Sequence, residues 1–145
     1  MGMAVRTRAE FERDLQSLRE EVLHLGSMVE KAVQRAVHAL KNRDVELARQ
    51  VIEGDQEIDE RTYALEEKAL LLIATQQPLA TDLRIIAATL FIISELERIG
   101  DYAEGIAKIA QRLADRPPLK PLIDIPRMAE VSTEMLRGSL DAFID

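Results

Sequence analysis

The chain has no cysteine and no tryptophan, and aromatic residues make up only 3% of it. Without cysteine there are no disulfides, no thiolate metal ligands and no cysteine nucleophile, and the composition agrees with a reducing compartment. With so few aromatics, the core must be built from Leu, Ile, Val, Ala and Met, a set that favours packed helices over sandwiches. Proline is also scarce where it would interrupt a helix: four of the five prolines fall between Pro117 and Pro126. No apolar run approaches the roughly 20 residues that span a bilayer. The strongest, Leu83 to Ile93, is short and contains Arg84. The N-terminus, Met1 to Arg8, lacks the apolar core of a signal peptide. Positive charge is in deficit as well: the net charge is −7, which argues against the clustered Lys and Arg that nucleic acid requires. Gly-rich phosphate loops, nucleophile elbows and Ser/His/Asp sets are all missing, so the sequence gives no reason to expect an enzyme.

What is present is helical periodicity. In a chain of 145 residues, long enough for one domain with a true core, Leu15, Leu18, Val22, Leu25, Val29, Val33, Ala36 and Leu40 recur at steps of three and four. This spacing predicts a first helix from Ala9 to Leu40. Asn42-Arg43-Asp44 interrupts it, with Asp44 an N-cap for a second helix through Ala48, Val51, Ile58, Leu65, Ala69 and Leu72 to Thr75. Gln76-Gln77-Pro78 ends that helix. A third is expected from Thr81 or Asp82, either of which could cap it, to Ala114. The prolines then mark a linker over 116–126, and a fourth helix is expected over Met128 to Ile144. That helix echoes the first, since Met28-Val29, Ala32-Val33 and Ala36-Val37 recur in register as Met135-Leu136, Ser139-Leu140 and Phe143-Ile144.

Against this background four acids stand out. Asp55 falls in the middle of the apolar stripe of the second helix, and Asp59 lies one turn on at its edge. On the third helix, Leu83, Ile86, Leu90 and Ile93 form a ladder whose next rungs are Glu97 and Asp101. Ordinary surface acids face a cation three or four residues away, as Glu53 does with Arg49 and Glu57 with Arg61. Asp55, Asp59 and Glu97 have none, and only Asp101 has Arg98 within reach. Carboxylates on a partly buried face repel one another and lose hydration, so a cation or a proton must compensate. An all-oxygen cage suits hard ions such as Fe³⁺, Mn²⁺, Mg²⁺ or Ca²⁺. The alternative is that the bundle end is wet and these acids are simply solvated. The Glu21-Val22-Leu23-His24 stretch fits one half of a di-iron signature that needs two copies. That reading, a di-metal oxidase or storage bundle, stays open beside a purely structural bundle, and both histidines, His24 and His38, read as solvated.

Three stretches together go beyond spacing. Asp55-Gln56-Glu57-Ile58-Asp59, then Ala74-Thr75-Gln76-Gln77-Pro78-Leu79-Ala80-Thr81-Asp82-Leu83-Arg84, then Leu96-Glu97-Arg98-Ile99-Gly100-Asp101 resemble the PhoU family of phosphate-uptake regulators in order and spacing. The resemblance covers roughly the first 115 residues, and the tail resembles the start of the family's second half. It implies an all-α fold: an antiparallel three-helix bundle of long helices over 1–115, the linker 116–126, and over 127–145 the first helix of an incomplete second bundle. It further implies a metal site at Asp55, Asp59, Glu97 and Asp101, taking a multinuclear iron cluster or else Zn, Mn, Mg or Ca. The implied role is a negative regulator of phosphate uptake, without catalytic turnover. Its partners would be the ATPase subunit of the phosphate-specific ABC transporter and a sensor histidine kinase. The implied setting is cytoplasmic, at the inner face of the membrane through those partners, with homodimerisation and no membrane insertion.

Overall fold

The structure, a computed structural model, describes residues 7–145; the stretch 1–6, the bulk of the segment read above as lacking a signal peptide, lies outside the described residues. Four helices follow in order, α1 Arg8–Asn42, α2 Val45–Gln76, α3 Thr81–Leu113 and α4 Asp124–Ile144, with no strand among the described residues. None is long and apolar enough to cross a membrane.

Local chemistry sets the ends. The Thr7 hydroxyl accepts from Glu10 N at 3.2 Å while Thr7 N donates to the Glu10 carboxylate at 2.9 Å, a reciprocal capping box that satisfies two otherwise orphaned donors of α1. Asp44 caps α2 by accepting from Leu47 N at 3.0 Å. Helices α1 and α2 both stop on a left-handed residue, Arg43 at φ 55° and Gln77 at φ 45°. The start of α3 differs from the expectation: neither Thr81 nor Asp82 caps it. The cap position is Ala80, which offers no side-chain oxygen and sits at φ 53°, ψ −119°, a positive-φ conformation that glycine adopts far more readily. Asp82 is occupied elsewhere, holding Arg8 at 2.5 Å. Helix α4 starts at Asp124, four residues before the Met128 marked by its apolar pattern, because Pro126 falls within the first turn, where a missing N–H costs nothing.

Short turns at 43–44 and 77–80 make α2 antiparallel to its neighbours. Helices α1 and α3 run parallel, as shown by Arg8–Asp82 at one end and by Arg43 donating to the Leu113 carbonyl at the other. All three pack on one another, whereas α4 packs its backbone on α1 alone. The core has two halves. One is large and aliphatic, around Leu18, Leu25, Ile86, Ile93 and Leu96; each such burial is worth about 1.5–3 kcal/mol. The other is small, with Ala36, Ala39, Ala48, Ala103, Ala107 and Ala110 around Val51, which lets the three helices approach closely.

Helix α4 lies antiparallel to α1 at a contact made by a glycine. A Cβ on Gly26 would sit 2.4 Å from Leu140 Cδ1, so the absence of a side chain there is what seats Leu140. Nearby, Arg137 pairs with Glu30. In the echo between α4 and α1, Arg137 is the position that matches Glu30.

Candidate metal centre

The acids lie on the α2·α3 seam, where the aliphatic half of the core gives way to the alanine half. On α2 the sequence passes from Val51 through Asp55 to Ile58; on α3 it passes from Leu96 through Gly100 to Ala103. Gly100 makes room at this junction. A Cβ there would meet Ile58 Cγ2 at 3.3 Å and Asp55 Oδ1 at 3.5 Å.

Three of the four acids singled out from the sequence converge. Asp55, Asp59 and Asp101 each offer a carboxylate oxygen, and these oxygens lie within 4.8 Å of one another. Two ligands on opposite sides of a hard cation are roughly 4–5 Å apart, so the triplet can close on one ion. Glu97, the fourth, stands one turn earlier on α3, half-buried and outside the triplet, though within the field of Asp59 and Asp101.

The electrostatics are those of a site short of positive charge. Asp55 is only 6% exposed, and Oδ1 of both Asp55 and Asp59 is buried without a hydrogen-bond partner. Burial, then a hydrogen bond with Glu104, then the charges of Asp59, Glu104 and Asp101 push the Asp55 carboxyl up to about 7. Asp59 is raised by burial and by Asp101 and Glu104. Glu97 is raised by burial and then by Asp59, Asp101 and Glu66. Two arginines on the same helices are engaged elsewhere. Arg49 is taken by Glu46 and Glu53, and Arg98 lies over the Tyr102 ring at 5.9 Å instead of reaching Asp101. The residues present fit a metal: an all-oxygen donor set with buried, donorless oxygens suits a hard cation.

Sequence spacing missed Glu104. It has Lys108 four residues on and reads as an ordinary surface pair, yet its carboxylate also meets Asp55. The one available signal was register, since Glu97, Asp101 and Glu104 continue the three- and four-residue ladder of α3. The di-iron half-motif does not join these acids. Glu21 pairs with Lys68 at 3.3 Å, His24 is exposed, and neither joins a three-ligand cluster among the described residues.

An all-α bundle of long helices with a carboxylate cluster on one internal seam is the class these observations define. Comparison with known proteins narrows it. Residues 22–110 match the PhoU domain. The chain is 42% identical over 132 residues to the phosphate-specific transport system accessory protein PhoU homolog of Aquifex aeolicus, covering 91% of this chain and 60% of that protein. It is 36% identical over 134 residues to the phosphate-specific transport system accessory protein PhoU of Escherichia coli K12, covering 92% and 56%. The crystal structure of PhoU from Pseudomonas aeruginosa superimposes with a TM-score of 0.87 at 33% identity, covering 92% of this chain and 65% of that one. The chain belongs to the PhoU family, and it spans about three-fifths of the length of these relatives.

Proposed function

We propose that this chain is a metal-binding regulator of phosphate uptake that works by association and not by turnover. The observation that carries the reading is the buried, donorless Asp55 beside Asp59 and Asp101, within a bundle whose relatives are named phosphate-specific transport system accessory proteins. Asp55, Asp59 and Asp101 would hold the ion from two helices, and in this reading Glu97 would serve a second ion of a multinuclear iron cluster. Zn, Mn, Mg or Ca are the other occupants such a donor set admits. Bound metal would supply the positive charge that this seam lacks, tying α2 to α3 and stiffening the surface that partners read.

The partners in this reading are the ATPase subunit of the phosphate ABC transporter and a phosphate-responsive sensor histidine kinase, met in the cytoplasm at the inner face of the membrane. Homodimerisation belongs to the same reading, through the apolar residues that α4 leaves exposed, Met128, Val131 and Met135. Purification from phosphate-replete cells, followed by mass spectrometry of whatever comes with the chain, tests the role. Recovery of the transporter ATPase and the kinase is expected, and recovery of neither would sink the regulatory assignment.

A further inference from the structure

The acid that spacing missed bears on how the centre takes up its ion. Glu104 is half-buried on α3 with its carboxylate between two partners. On one side is the ammonium of Lys108, 2.8 Å away and half-exposed. On the other is the carboxyl of Asp55, only 6% exposed and with an oxygen that has no donor, while Glu104 itself lies outside the triplet of Asp55, Asp59 and Asp101. Among the described residues, Lys108 is the one cation ion-paired to any of Asp55, Asp59, Glu97, Asp101 or Glu104. A single positive charge therefore serves a pocket of several carboxylates, and it reaches that pocket only through Glu104.

We propose that Glu104 is a further ligand of the metal centre and that Lys108 is its built-in competitor. Without metal, Lys108 holds Glu104 and substitutes in part for the missing cation. With a divalent ion among Asp55, Asp59 and Asp101, Glu104 leaves the lysine and adds a fourth carboxylate to the ion. Lys108 thereby sets how tightly the ion is held, because its ion pair must open for the last ligand to arrive. This inference rests on the metal reading above and adds to it one ligand and one residue that tunes affinity without touching the ion.

The test uses Mn²⁺ with the chelator-stripped full chain, following loss of the free-ion electron paramagnetic resonance signal as the ion binds. Glu104→Gln keeps size and hydrogen bonding but loses the charge, and it is expected to weaken Mn²⁺ binding by at least about tenfold, the usual cost of losing a site partner. Lys108→Gln is expected to tighten binding by about fivefold, the upper worth of an exposed ion pair; Lys108→Arg should bind as wild type does. In the Glu104→Gln background, Lys108→Gln should then change nothing, because the lysine acts through Glu104. Circular dichroism confirms that each variant is folded. Wild-type affinity in Glu104→Gln would overturn Glu104 as a ligand. Equal tightening by Lys108→Gln with and without Glu104 would reduce Lys108 to a distant field and overturn the competition. If the wild-type chain binds no Mn²⁺, Fe²⁺ or Zn²⁺, the metal reading itself fails, an outcome distinct from both.

Discussion

Replacing Asp55 by Asn should stabilise the metal-free protein by an amount that grows from about pH 4 and is complete above about pH 7. The Asp55 carboxyl is raised from 3.8 to about 7, so the folded chain holds this proton more tightly than the unfolded chain does. Between about pH 4 and pH 7 the folded state carries more protons, and stability falls as pH rises; above pH 7 the cost of the buried charge is fully present, and below pH 4 it is absent. At 1.36 kcal/mol per tenfold change in proton affinity, the ceiling is about 4 kcal/mol. Glu104 is lowered by the same contact, which returns part of that, so about 2 kcal/mol is expected. Asparagine cannot ionise and can donate to Glu104. In thermal melts followed by circular dichroism with chelator, Asp55→Asn should melt roughly 4–8 °C above wild type at pH 8 and level with it near pH 4.5. Added Mn²⁺ should raise the wild-type midpoint by mass action and leave the variant unmoved. A variant less stable than wild type at pH 8 without metal, or an equal gain at both pH values, would refute the argument that Asp55 is a buried, uncompensated acid.

Other parts of the fold respond in their own ways. Ala80→Gly should raise stability by about 1 kcal/mol in urea unfolding, since glycine meets φ 53° without the Cβ clash. Gly26→Leu should push Leu140 aside and lift α4 from α1, seen as faster limited proteolysis within 114–123, while Mn²⁺ affinity stays unchanged because the α2·α3 seam is untouched. Charging the uncovered face of α4 with Met128→Lys and Met135→Lys should turn a dimer into a monomer in light scattering after size exclusion, with the melting midpoint moved by less than about 1 kcal/mol equivalent.

The helices were legible because long helices advertise a three-to-four-residue period, and Leu15 through Leu40 keep it without a break. Their ends were legible where a side chain does the capping, as at Asp44. They were not legible where backbone conformation does it, as at Ala80, since no residue type there announces a positive φ. Asp55 could be found because a charge in the middle of an apolar stripe is visible within one helix. Glu104 is harder to find: it continues the α3 ladder, but what joins it to the site is the antiparallel register of α3 against α2, which brings its carboxylate to Asp55. A reading confined to one helix sees only Lys108 one turn away and files the pair with the surface. By the same register Glu97 faces Asp59, Asp101 and Glu66, and like Glu104 it lies outside the triplet.

The central claim is that the α2·α3 seam is a metal centre, and elemental analysis tests it most directly. The chain would be purified without chelator beside an Asp59→Asn/Asp101→Asn double variant that retains the helical spectrum. Stoichiometric metal in the wild type and background metal in the variant is the predicted result. Equal metal content in the two, whether high or nil, would contradict it.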